Sequence, residues 1–334
     1  MSESYWNGRL EFLKAIRTGW CNDDYIEFLV EKVWKISNPV NIIDFGCGFG
    51  YIGLLLLPIL PKGSTYTGID ISDTLLDDAK NIFANSGYIT KFIKSDLNEY
   101  IPTESYDLAI SQAVLRHIPN AKNILEKMIQ SVVSGGLVVC MEGDLEIEKT
   151  GQYFSGLDYI DLDMMTLHRK MYRKELENGG RDYRLGVKIP TFMQELGLHD
   201  VGVRMNDRVK FINPHWNKEE HDKQFDAITN AWQWNKQLSE NERTDYINSL
   251  INRGLNEHEA EMYVNGESKI SEYVMNNKYS AYIIQEPCIL ISYGRKFWEV
   301  WFKMEKIYLV SPSMKHKESY KEMMIEWEKS YDYR

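Results

Sequence analysis

NIIDFGCGFG, residues 41–50, runs through YIGLLLLPIL at 51–60 to TYTGIDI at 65–71. The first half is a short, almost unbroken apolar run, the pattern of a strand buried on both faces. It enters a turn with glycine at alternate positions, Gly46, Gly48 and Gly50, and the turn opens a helix. That helix carries the run Ile52 to Leu60, interrupted by Gly53 and Pro58, and reads as buried. Glycine tolerates φ > 0 and lets backbone N–H groups approach a ligand at a helix N-terminus. A nucleotide-like ligand is implied.

Outward from this unit the rhythm continues. Upstream, Ile26, Leu29, Val30, Val33 and Trp34 fall on one face of a helix from the Asn22-Asp23-Asp24 cap to about Ile36, which Pro39 ends. Downstream, STYTGIDI, TKFIKSD, YDLAIS and LVVCME read as strands. They alternate with helices over Asp73 to Asn85 and after Pro119, and the Gly135-Gly136 turn precedes the last of them. Alternation at this pitch predicts right-handed βαβ units and a Rossmann-like, doubly wound α/β sheet with helices on both faces.

Beyond Asp144 the rhythm breaks. Residues 151–184 are helix-like and rich in Tyr, Met and Arg. A helix around Ile189 to Leu196 leads into VGVRMNDRVKFIN, read as one extended stretch, and about three helices follow between Pro214 and Asn277. Two of these start with capping boxes, Ser239 with Glu242 and Asn256 with Glu259. IIQEPCILISYG reads as a returning last strand, at an edge or bulged because of Pro287. The expected organisation is an N-terminal helical cap (1–38), a cofactor-binding core (39–150), a helical insertion (151–184) and a core continuation (185–212). A helical lid insertion (213–279), the last core strand (280–297) and a C-terminal tail (298–334) complete it.

The glycines alone do not identify the ligand, because Gly48, Gly50 and Gly53 also spell the G-x-G-x-x-G of dinucleotide-binding domains. Asp44 discriminates: a carboxylate at the lip of the strand repels a pyrophosphate but suits an ammonium and a sulfonium, both carried by S-adenosylmethionine. Asp70 lies about 20 residues past the loop, where an acid accepts from ribose hydroxyls. Asp96, ending the third strand, can accept from an adenine amino group.

These residues resemble class I S-adenosylmethionine-dependent methyltransferases, in particular the group that includes ubiquinone and small-molecule methyltransferases. The resemblance covers roughly residues 22–145, and Arg184 to Pro190 with the following strand more loosely. It implies a seven-stranded sheet of order 3-2-1-4-5-7-6 with the last strand antiparallel, and a cofactor over Gly46, Gly48 and Gly50. It further implies that Asp44 lies near the methionine end, that Asp70 with Ile71 holds the ribose, and that Asp96 with Leu97 holds the adenine. Ser111 and Gln112 would edge the methionine moiety, and Arg17 would pair with its carboxylate if the N-terminal segment folds over the site.

For methyl transfer, His117 follows the fourth strand in a region that faces the methyl group in the resembling family, and its near-neutral pKa suits a general base. Glu142, at the end of the fifth strand, is a second candidate. Both compete with plain structural roles. Tyr5, Trp6, Trp20, Tyr153, Phe154, Tyr159, Trp232 and Trp234 could line an apolar acceptor pocket or simply pack. The helical insertions are expected to form a lid over the C-terminal edge of the sheet.

A net charge of −10 disfavours nucleic acid and anionic membranes as partners, so a small or medium-sized, partly apolar acceptor is expected. The N-terminus has no signal-peptide pattern and no run is long enough to span a bilayer, pointing to a cytoplasmic protein. Cys21, Cys47, Cys140 and Cys288 form no ligand spacing with the histidines, so no metal is expected. Two alternatives stay open: an RNA or protein methyltransferase, and a non-catalytic S-adenosylmethionine-binding module. Acceptor identity and oligomeric state are not legible.

Overall fold

The structure, a computed structural model, describes residues 3–8, 10–17, 20–158 and 164–297; the expected C-terminal tail at 298–334 and Tyr159 lie outside them. The strands along the chain are β1 (Asn41–Phe45), β2 (Thr65–Asp70), β3 (Ile89–Lys94), β4 (Tyr106–Gln112), β5 (Val132–Gly143), β6 (Gln152–Phe154), β7 (His199–Met205), β8 (Lys210–Ile212), β9 (Ile283–Gln285) and β10 (Ile289–Arg295). The first helices are α1 (Glu3–Asn7), α2 (Leu10–Arg17), α3 (Asp23–Phe28), α4 (Tyr51–Leu56), α5 (Asp73–Phe83) and α6 (Ala121–Gln130). The later ones are α7 (Leu145–Thr150), α8 (Met165–Glu177), α9 (Leu185–Glu195), α10 (Lys218–Trp232), α11 (Glu240–Asn252) and α12 (Glu257–Asn276).

Seven strands form one sheet in the order β3-β2-β1-β4-β5-β10-β7. β1 through β5 pair in parallel, and β10 runs antiparallel to both β5 and β7. Numbered by these seven strands alone, the order is 3-2-1-4-5-7-6 with the last strand antiparallel. The physical cause is visible in β1. Ile42 packs into one core with Tyr66, Leu108 and Ile110, while Ile43 and Phe45 pack into the other with Ala109 and Val138. Successive side chains point to opposite faces, so a strand apolar at every position demands cover on both sides.

Three very short strands build a second, antiparallel sheet in the order β6-β9-β8, which the sequence reading did not anticipate. Two expectations change with it. VGVRMNDRVKFIN does not form one strand: its first half is β7 in the large sheet and its second half β8 in the small one. IIQEPCILISYG divides the same way into β9 and β10, with Pro287, which has no N–H to give a ladder, between them. Within each of these two segments the chain thus crosses from one sheet to the other. Against the small sheet, α10 and α12 bury Phe225, Ile228, Ile270 and Val274 around Trp234.

The helix expected over 22–36 is α-helical only to Phe28 and continues as a π turn over Leu29–Val33. There Trp34 N–H donates to Leu29 O at 2.7 Å. Both expected capping boxes are formed, opening α11 and α12. No described helix is long and apolar enough to cross a membrane.

Candidate functional site

The ends of β1, β2, β3 and β4 surround a cavity of about 750 Å³ including its mouth. Trp6 of α1 and Leu13 of α2 line it from above the sheet. Four polar and charged anchors tie these short helices or their neighbourhood to α5: Asn7 Oδ1 accepts from Ser72 Oγ at 2.6 Å, Lys14 pairs with Asp78 at 3.0 Å, and Lys94 bridges Glu3 and Asp73. Leu13 also packs with Phe49 and Leu75.

Gly46, Gly48 and Gly50 all adopt positive φ, at 77°, 55° and 82°. Their surroundings differ. A Cβ on Gly46 would lie 2.6 Å from a Val114 methyl, and one on Gly50 would lie 2.7 Å from the Phe83 ring. A Cβ on Gly48 would meet nothing closer than Leu75, 4.0 Å away, so this glycine keeps the cavity floor open. Gly46 and Gly48 line the cavity; Gly50 is the left-handed residue ahead of α4 and packs on α5.

Four N–H groups of the loop expected to face a ligand are engaged within the chain. Gly46 and Cys47 N–H donate to Ile69 O at 2.8 and 2.9 Å, and Gly50 N–H donates to Cys47 O at 2.9 Å. Gly48 N–H donates to Asp70 Oδ2 at 2.8 Å. A dinucleotide site needs such donors for its pyrophosphate. Here the turn is folded back onto β2, and a carboxylate occupies the position that an anion would take.

Asp70 lines the cavity, and its Oδ1 also accepts from Ser72 N–H at 2.9 Å. An ionised carboxylate has about four acceptor directions, more than the two backbone N–H groups use. Ile71 and Leu97 provide apolar walls. Asp96 Oδ1 is held by the backbone and side-chain N–H groups of Asn98 at 2.8 and 2.9 Å. Lys127 Nζ donates to Leu97 O at 2.9 Å and fixes the same turn. Two carboxylates therefore line the cavity, and no described lysine or arginine does. Such a site favours a cation over a diphosphate.

Several expected site residues lie elsewhere. Asp44 is 1% exposed, is not among the residues lining the cavity, and accepts from Tyr66 Oη at 2.6 Å. Burial, and next to it the Asp44 charge, hold the Tyr66 phenol well above its ordinary pKa, so it stays a donor. Ser111 and Gln112 are buried within β4, and Ala113 and Val114 take their expected place at the cavity edge. Ala113 has φ 52°, a left-handed turn that a bulkier side chain would resist.

His117 ends the short 3₁₀ turn Leu115–His117 and lines the cavity. Its ring meets Trp6 edge-on at 5.4 Å. Glu142 does not line the cavity. It is fully buried and its Oε1 accepts from Val114 and Leu115 N–H at 2.9 and 2.7 Å, so it holds the turn that carries His117. The side chain of Arg17, the last residue of α2, lies outside the described residues. The sequence reading missed Leu13 in the lining, although Trp6, Leu10 and Leu13 stand at helical spacing.

Residues 36–179 match the family model described as a methyltransferase domain. Over 142 residues, 42% of this chain, it is 24% identical to a ubiquinone biosynthesis O-methyltransferase of Rickettsia felis, of which 56% is covered. Over 166 residues, 49% of this chain, it is 27% identical to a malonyl-[acyl-carrier protein] O-methyltransferase of Anoxybacillus flavithermus, of which 57% is covered. It is also 36% identical over 112 residues, 32% of this chain, to an uncharacterized protein of Methanocaldococcus jannaschii, of which 30% is covered. The chain thus spans about half the length of the curated methyltransferases it matches. By this match, the chain carries over residues 36–179 a region similar to methyltransferase domains, and its sheet order and acidic cavity are those expected of the class I S-adenosylmethionine-dependent methyltransferases it resembles.

Proposed function

We propose that the protein transfers a methyl group from S-adenosylmethionine to a small or medium-sized, partly apolar acceptor by in-line displacement. The observation that carries this reading is the cavity at the strand ends, lined by two carboxylates and by no described lysine or arginine. When bound, the cofactor supplies an electrophilic methyl group on a positively charged sulfur. Asp70 accepts hydrogen bonds from the ribose, Asp96 and Leu97 take the adenine end, and the open face of Gly48 admits the ligand to the floor.

Little covalent chemistry falls to the chain. Orienting the reactants accounts for most of the acceleration and is worth roughly 7–11 kcal/mol when the reacting atoms are well aligned. Trp6 and Leu13 exclude water from the same space. His117 accepts the acceptor's proton where that acceptor is a hydroxyl or an ammonium. Glu142 acts through the Val114–Leu115 turn as a positioning residue and touches no reacting atom.

The test is turnover. Incubation with S-adenosylmethionine and a panel of phenols, amines and carboxylic acids is expected to accumulate S-adenosylhomocysteine with at least one acceptor. Cofactor binding without product from any small acceptor, RNA or protein extract would overturn catalysis and leave a binding module. Product from RNA or protein alone would overturn the small acceptor.

A further inference from the structure

A second cavity, of about 910 Å³ including its mouth, lies where the chain crosses between the two sheets. Arg116 comes from the turn that carries His117, and Arg208 and Lys210 from the crossing between β7 and β8. Gln285 at the end of β9 pairs with Lys210 in the small sheet and lines the same space. Trp20 and Trp232 supply aromatic walls.

Three features set this cavity apart from a solvated surface. First, none of its three cations is ion-paired within the described residues, although the chain carries a net charge of −10 and two carboxylates, Glu148 and Glu286, share the lining. Burial depresses the Lys210 ammonium below its ordinary pKa against the opposing influences of Cys288 and Glu148, so an anion beside it would favour its charged form. Second, Gln285 is 6% exposed and its Oε1 has no hydrogen-bond partner among the described residues, which is costly in a buried position unless a ligand donor completes it. Third, the end of β5 is shaped for Arg116: a Cβ on Gly143 would lie 3.2 Å from Arg116 Nη1, so only glycine leaves the guanidinium its full room.

The position ties the cavity to the chemistry. Arg116 and His117 are consecutive, and Arg116 Nε lies 3.4 Å from His117 Nε2. His117 lines the first cavity and Arg116 the second, so the 3₁₀ turn is their shared wall. We infer that the second cavity is the acceptor's anchoring subsite, in which Arg116, Arg208 and Lys210 hold a carboxylate or phosphate on the acceptor while Gln285 takes a donor group. Resting on the methyl-transfer reading, this names the acceptor class as a small anionic molecule. Its anionic group is a handle and is not the atom methylated. The two cavities sort charge: the acidic one takes the sulfonium cofactor and the basic one takes the anionic acceptor.

The test separates the two sites. The full chain is titrated calorimetrically with S-adenosylhomocysteine, which reads the first cavity. Benzoate, phenyl phosphate and the neutral control benzyl alcohol then read the second. At least one anion is expected to bind tenfold or more tightly than benzyl alcohol, and the stronger of the two anions identifies carboxylate or phosphate as the handle. Arg208→Ala/Lys210→Ala is expected to lose that preference and keep wild-type affinity for S-adenosylhomocysteine, which also reports that it is folded. Should the double variant not fold, Arg208→Gln and Lys210→Gln are each expected to lose part of the preference. Equal binding of anions and benzyl alcohol, no binding of either anion, or an undiminished preference in the variants would overturn the inference. Loss of S-adenosylhomocysteine binding by the wild type would instead strike the methyl-transfer reading.

Discussion

Asp70 and Glu142 both lie at the ends of buried strands, and their neighbours give them different work. Asp70 accepts one backbone N–H on each oxygen and still lines the cavity, so one group both shapes the glycine turn and faces the space proposed for the cofactor. Glu142 directs one oxygen to two consecutive N–H groups and is not among the residues lining that cavity. Removing it as Glu142→Ala leaves the Val114 and Leu115 donors without their acceptor, at about 1–3 kcal/mol for each group left buried. A lower thermal midpoint is expected, with a reduced kcat but an unshifted pH–rate profile. His117→Gln should instead alter the profile, by removing its acid limb for an acceptor that must lose a proton. An unchanged midpoint in Glu142→Ala, checked by thermal denaturation, would contradict the positioning role.

Among the elements, α8 and α12 are joined by a buried polar contact. His168 Nδ1 lies 3.0 Å from Met164 O and Nε2 lies 2.8 Å from Tyr263 Oη. Burial lowers the His168 pKa from 6.5 to about 4, so the imidazole is neutral in the folded chain. As the pH falls, the unfolded chain takes up this proton first. The stability that the neutral ring contributes is therefore complete above pH 6.5 and is lost progressively toward pH 4, at up to about 1.4 kcal/mol per pH unit. Midpoints measured between those limits are expected to fall less steeply for His168→Gln than for the wild type. Parallel curves would contradict the assignment.

The elements also explain what the sequence could reveal. The large sheet was legible because β1, β2 and β4 are apolar enough to require two covered faces, and the capping boxes of α11 and α12 because a cap is a local contact. The small sheet was not, since β6, β8 and β9 are three residues each and too short for alternation to register. At the site, Asp70, Ile71, Asp96, Leu97 and His117 were legible as residues at strand ends, which is where such cavities form. For Ser111 and Gln112 the sequence does not show where the strand ends: β4 runs on through Gln112, and the lining residues of this segment begin at Ala113. For Asp44, one-dimensional spacing does not show that Tyr66, on the neighbouring strand, is in reach of its carboxylate.

At the scale of the whole molecule, charge is distributed against the average. The chain is acidic overall, yet it segregates an acidic cavity at the strand ends from a basic one between the sheets, and the turn at 115–117 separates them. Ligand choice then follows from local fields, which burial strengthens, and less from the net charge, which salt screens. The most direct measurement is isothermal titration of the pure protein with S-adenosylmethionine and with NAD⁺, in the wild type and in Asp70→Asn. Saturable binding of S-adenosylmethionine, none of NAD⁺, and at least tenfold weaker S-adenosylmethionine binding in the variant are predicted. NAD⁺ binding as tightly as S-adenosylmethionine, or an Asp70→Asn protein with undiminished affinity, would contradict selection of a cationic cofactor by the carboxylates of the cavity.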